Sequence, residues 1–144
     1  MSLIDCLPHR PPMRLIEEII DVQHGASATA RRVANPDDFY FQGHFPGQPV
    51  VPAVILVELL AQTGGLAAAA PDTAHSGNSG LPGKPLQLRI AALGPLKFPA
   101  AALPGAVLEA RAHVAGRMGR LCKIEGTVTA DGVLVATGTL TLAG

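Results

Sequence analysis

Residues 42–62 read QGHFPGQPVVPAVILVELLAQ. A turn punctuated by glycine and proline holds one histidine, His44. It gives way to an almost wholly apolar run interrupted by one carboxylate, Glu58, and one amide, Gln62. Two glycines and a proline around His44 specify a tight, irregular backbone that can hold an imidazole at a fixed angle. Phe45, ahead of Pro46, is pushed to an extended conformation. Pro52 suits the first position of a helix, where its missing N–H has no partner to lose. Good helix formers follow, and Pro71 stops the run. Within the run Gly64 and Gly65 each cost a helix about 1 kcal/mol relative to alanine, so a neighbour is expected to pack closely there. A helix apolar nearly all round needs covering on most sides.

The cover comes from the flanking segments. HRPPMRLIEEIIDVQHG, up to Gly25, reads as a first strand after a prolyl lead-in, with helix as the competing reading of RLIEEIIDV. ASATARRVAN reads as a short second strand ended by Asn35-Pro36. In the last third Leu108, Ala110, Ala112 and Val114 alternate with Glu109, Arg111 and His113. Cys122, Ile124 and Val128 alternate with Lys123, Glu125, Thr127 and Thr129. Period two is the signature of a half-buried strand. Asp131-Gly132 then signals a hairpin into VLVATGTLTL. One long apolar helix and several antiparallel strands must share a core, and a curved sheet wrapped around the helix satisfies both. This is an α+β architecture, expected to be one domain over residues 1–144. Residues 71–85, rich in Gly, Ser and Pro, are expected to form a mobile loop within it, with His75 solvated.

Composition narrows the function. Lys plus Arg equals Asp plus Glu, 11 each, so no net field draws the chain to nucleic acid or an anionic membrane. Scarce aromatics, Tyr40 and four Phe, disfavour a base-stacking surface. The apolar run 50–70 carries Glu58, Gln62 and two glycines, which fits a buried helix better than a membrane span. Cys6 and Cys122 carry no metal spacing and no disulfide framework. With no signal-peptide pattern at the start, a reducing, cytoplasmic setting is expected. None of the histidines has a metal-ligand partner at useful spacing, and no glycine-rich nucleotide loop is present. His24 ends the first strand and His113 lies on the wet phase of its own.

Taken alone, His44 is an incidental histidine in a surface turn, and Glu58 an acid that touches solvent or meets a structural arginine. Taken together they suggest chemistry. An acid on an apolar helix has its pKa raised and is kept protonated, ready to act as a general acid. Gln62, one turn on, shares its face and could hydrogen-bond Glu58 or a water. A histidine beside it can remove a proton while the acid delivers one, which suits elimination of water from a carbon acid and calls for no metal or cofactor.

LPHRPPM followed by FQGHFPGQPVVPAVILVELLAQ resembles the β-hydroxyacyl-acyl carrier protein dehydratases of the FabZ type, which have the hot-dog fold. The resemblance runs from Leu7 to Leu142 and includes KFPAAALPG. It implies that His44 is the base at C2 of a 3-hydroxyacyl thioester, Glu58 the acid for the C3 hydroxyl, and Gln62 a supporting residue. Phe45, Pro46 and Gly47 then form the substrate turn. The Ala53 and Val54 N–H groups, at the positive end of the helix, are placed to receive the thioester oxygen. Glu58, where the FabA type has Asp, favours the plain dehydratase over the dehydratase-isomerase. The family works as homodimers, often stacked as trimers of dimers, with His and Glu of each site from different protomers. His9 belongs to the resemblance as a structural element.

Three departures stand out. Gln48 replaces a second histidine, Ala53 replaces a glycine at the helix start, and Pro99-Ala100 replace arginines suited to an acidic carrier. Lys84, Lys97, Arg117 and Arg120 remain as candidates for carrier docking, and a coenzyme A thioester is the other substrate form. A hot-dog thioesterase and a non-catalytic acyl-carrier-binding partner subunit are the alternative readings.

Overall fold

The computed structural model describes residues 3–69 and 88–144. The loop expected at 71–85, with His75 and Lys84, lies outside the described residues. Six strands, β1 (Glu18–Gln23), β2 (Ser27–Val33), β3 (Arg89–Lys97), β4 (Val107–Met118), β5 (Leu121–Ala130) and β6 (Val133–Ala143), accompany one α-helix, α1 (Ala53–Ala68). The strands form one antiparallel sheet in the order β1-β2-β4-β5-β6-β3. α1 packs on β1, β2, β4, β5 and β6, so the sheet wraps the helix as its apolar circumference requires.

The period-two pattern decides which face is inside. Leu108, Ala110, Ala112, Ile124, Val128, Leu140 and Leu142 are buried against α1, while Arg111 and His113 face solvent. The outer face carries cross-strand ion pairs, Arg31–Glu109 at 3.3 Å and His113–Glu125 at 3.0 Å. Such exposed pairs add little stability each. Small residues let helix and sheet approach closely. A Cβ on Gly126 would lie 2.6 Å from Leu60 Cδ1, and one on Gly64 would lie 3.0 Å from Ile124. The close packing expected at the Gly64-Gly65 pair is therefore present at Gly64, whereas Gly65 has its nearest neighbours, Leu88 and Leu7, at 3.7 and 3.8 Å. Asp131 and Gly132 both have positive φ, 49° and 85°, and make the tight β5–β6 turn.

Two local expectations are refined, and one strand is new. The first strand starts only at Glu18. Upstream, the Leu15 N–H donates to Gln62 Oε1 and the Met13 carbonyl accepts from Gln62 Nε2, so the segment Leu7–Leu15 runs as a strap held to α1. Pro52 stands one residue before the helix, with extended backbone (φ −58°, ψ 141°), and Ala53 is the first helical residue. β3 carries no alternating pattern, and its pairing with β6 is interrupted between Leu93 and Leu96, around Gly94-Pro95. Among the described residues no helix is long and apolar enough to cross a membrane.

Candidate active site

His44 sits in the connection between a short 3-10 turn, Phe39–Phe41, and α1. Gly43 and Gly47 flank it at φ 76° and 75°, a conformation that costs glycine nothing. The His44 N–H donates to the Phe41 carbonyl at 3.2 Å, and its own carbonyl accepts from Val50 N–H at 3.0 Å. Nδ1 of the ring is 3.2 Å from the Val50 carbonyl oxygen. A carbonyl only accepts, so Nδ1 carries the proton and Nε2 presents a lone pair. Phe45 stacks on the imidazole with centroids 4.1 Å apart and is itself exposed, as are Pro46 and Gly47. The peptide between His44 and Phe45 is cis.

This turn is braced from behind by residues the sequence reading did not single out. Arg32 of β2 pairs with Asp38 at 2.9 Å, and the Tyr40 hydroxyl donates to the same carboxylate oxygen at 2.6 Å. Burial and the Asp38 carboxylate push the Tyr40 phenol up to about 12, so it stays a donor. Arg32 also donates to the Leu15 carbonyl at 3.0 Å, which ties the 3-10 turn to the strap. No spacing rule marks this trio, because its members come from a strand and a turn that meet only after folding.

Glu58 lies five residues into α1, about 7.5 Å along the axis from Ala53 at 1.5 Å per residue. Its side chain is only 22% exposed and faces His9, whose Nε2 is 3.5 Å from Glu58 Oε1. Burial raises the Glu58 carboxyl above the ordinary range, and His9 and the Gln62 amide pull it partly back. A cavity of about 230 Å³ opens beside it, lined by His9, Glu58, Ala61, Gln62, Arg89 and Ile90 among others. The expected acid is thus in a mostly apolar recess. Gln62 spends both its oxygen and its nitrogen on the strap, at 2.9 and 2.7 Å. His44 is not among the residues lining this cavity. The fold brings Glu58, Gln62 and His9 together, and it keeps His44 at the head of the helix.

At that head no side chain among the described residues caps α1. Ala53 and Val54 are exposed there, so the N–H groups of the first turn are available to an oxygen that gains negative charge. Of the expected carrier-docking cations, Lys97 and Arg120 are exposed, and Arg117 donates to the Ala68 carbonyl in the last turn of α1. An imidazole anchored through Nδ1, a carboxyl pushed up by burial and an exposed helix start are the kinds of group an elimination of water can use.

A model of the FabA-like domain matches residues 7–139. A Listeria welshimeri protein named 3-hydroxyacyl-[acyl-carrier-protein] dehydratase FabZ is 34% identical over 131 residues, covering 91% of this chain and 85% of its own. A Streptococcus sanguinis protein of the same name is 33% identical over 142 residues, covering 99% and 94%. Among solved structures, the dehydratase heterocomplex ApeI:P from Xenorhabdus doucetiae superimposes with a TM-score of 0.77 at 19% identity, over 99% of this chain and 90% of that one. PaaI of E. coli gives 0.62 at 15% identity, over 88% and 82%.

Proposed function

The chain belongs to the FabA-like family, and on that premise we propose that it removes water from (3R)-3-hydroxyacyl thioesters to give trans-2-enoyl thioesters in fatty acid biosynthesis. Support for the reaction comes from the relatives named for it, which match 91% and 99% of the chain. Support for the residue roles comes from one observation: His44 Nδ1 lies 3.2 Å from the Val50 carbonyl, which accepts its N–H in the tautomer that leaves Nε2 to act as a base. Nε2 removes the C2 proton and negative charge grows on the thioester oxygen. The Ala53 and Val54 N–H groups receive that oxygen at the positive end of the helix. Glu58 protonates the C3 hydroxyl, the C–O bond breaks, and water leaves. His44 then holds one proton and Glu58 lacks one, which solvent exchange restores.

The working unit proposed is a homodimer whose sites take His44 from one protomer and Glu58 from its partner. Among the described residues β3 is an edge strand, hydrogen-bonded only to β6, and an unpaired edge is a template for another strand. Leu93 on it is 57% exposed, and Val54 and Phe45 at the helix head are 73% and 55% exposed. Exposed apolar side chains on β3 and at the helix head support reading them as parts of an association surface. Pairing β3 with the partner's β3 would cover Leu93 and is the association proposed for this dimer.

The test is interconversion of 3-hydroxybutyryl and crotonyl thioesters, followed by the ultraviolet absorbance of the conjugated enoyl product. Each substrate is supplied on acyl carrier protein and on coenzyme A. Turnover is expected in the wild type, with losses of roughly 10²–10⁴-fold in both His44→Ala and Glu58→Gln. Full activity in both variants would remove the two residues from the reaction, and release of free thiol without an enoyl product would indicate a thioesterase.

A further inference from the structure

The strap Leu7–Leu15 crosses α1 at the acid. Gln62 clamps it through Met13 and Leu15, and Arg32 holds the Leu15 carbonyl. Arg10 donates to the carbonyls of Leu7 and His9, both at 2.8 Å, which stiffens the bend between them. The result is a His9 imidazole with Nε2 3.5 Å from Glu58 Oε1, too close for a water to stand between. The two side chains are 23% and 22% exposed and share the wall of the same cavity. The other ring nitrogen, Nδ1, is buried and has no hydrogen-bond partner among the described residues. Orphaned buried N–H groups are rarer than orphaned acceptors, so the unpartnered nitrogen is the one without a proton.

We propose that His9 is a positioning residue for the acid: its neutral Nε2–H donates to Glu58 Oε1 and so confines the carboxyl proton to Oε2. This rests on the reading of Glu58 as the general acid and adds a reason for its orientation. A carboxylic acid carries one O–H, and the oxygen that accepts a hydrogen bond serves as its carbonyl oxygen. With Oε1 held by His9, the O–H is on the oxygen left for the substrate hydroxyl. When that proton leaves, the same Nε2–H faces a carboxylate and the bond becomes charge-assisted. An interaction that strengthens as the proton moves lowers the barrier. His9 neither gains nor loses a proton in the cycle. Gln62 holds the strap that carries His9, and its amide also acts directly on the Glu58 carboxyl.

Two substitutions and one spectrum test this. His9→Phe keeps a flat ring under the strap but has no donor; kcat is expected to fall about tenfold or more, with KM and Tm nearly unchanged. His9→Gln returns an N–H at a similar reach and is expected to recover most of that loss. The descending alkaline limb of kcat/KM, where Glu58 loses its proton, moves to higher pH in His9→Phe. The carboxylate has then lost a donor while Arg89, the charged residue facing the cavity from β3, is unchanged. The ¹⁵N shifts of the His9 ring, taken at about pH 8 where imidazole is neutral, are expected to show the Nε2–H tautomer, a readout that needs no turnover. The assignment is overturned by the Nδ1–H tautomer or an imidazolium at that pH. It is equally overturned by equal losses in both variants, by a loss confined to KM or Tm, or by full activity of His9→Phe. Absence of turnover in the wild type itself would instead count against the proposed function, and the tautomer would still be read.

Discussion

At the residue scale the half-buried carboxyl of Glu58 makes stability depend on pH with a definite sign. Burial raises its pKa in the folded chain above the ordinary 4.5, against the smaller opposing pulls of His9 and Gln62. Between the unfolded and folded values the native state holds a proton that the unfolded state has released, so stability falls as pH rises through that window. Below the window both states are protonated, and above it both are charged and the penalty is constant. Glu58→Gln removes the titration. Urea midpoints measured over a pH series are therefore expected to shift in favour of the variant as pH rises from about 4.5 and then level off. A shift of the opposite sign would mean that the acid serves the fold as an ion pair with His9. The oddity of this acid was legible in the sequence, because a lone carboxylate among valines and leucines has no local partner. His9 as its neighbour was not legible, since the strap is brought to the helix by non-local contacts, the two hydrogen bonds of Gln62 and the burial of Leu7 and Leu15, that no local pattern announces.

At the scale of elements, the glycine pair in α1 separates packing from propensity. Both residues weaken the helix by about 1 kcal/mol relative to alanine, but their surroundings differ. A methyl on Gly64 would press on the fully buried Ile124 at 3.0 Å, so that side chain would have to shift. Gly64→Ala is expected to lower stability by about 1–3 kcal/mol through overpacking. At Gly65 the neighbours stand at 3.7 and 3.8 Å, so the helix gain should prevail. Gly65→Ala is expected to raise stability by up to about 1 kcal/mol. Because Gly65 lines the cavity beside Glu58, the added methyl should also weaken longer acyl substrates selectively. Thermal unfolding with assays of graded chain length checks both halves. The close approach was foreseen from the bare pair, and the division of labour within it needed the neighbours. The strands show the same limit. β4, β5 and β6 were legible because one face is dry and the other wet. β3 was not, because as an edge strand exposed on both faces it has no alternation to read.

For the whole molecule, the separation of His44 from the Glu58 cavity within one chain is the decisive point. α1 carries its first-turn N–H groups at one end and Glu58 about a turn and a half further on, while His44 sits in the turn before the helix. If the sites are completed across a dimer, two inactive variants can repair each other. In a mixed dimer of His44→Ala and Glu58→Gln, one site takes the intact His44 from the second variant and the intact Glu58 from the first. The other site takes both defects. Random reassortment of equal amounts makes half the dimers mixed, each with one working site of two, so activity should return to about a quarter of the wild-type level. Recovery requires subunit exchange, so the variants should be co-expressed or unfolded and refolded together, with separately refolded samples as controls. Leu93→Lys in both variants, which places a charge on the free β3 edge, should abolish the recovery and leave a monomer in sedimentation. If His44 and Glu58 of the same chain formed the site, no mixture could exceed the activity of its parts, and the shared-site dimer would be excluded.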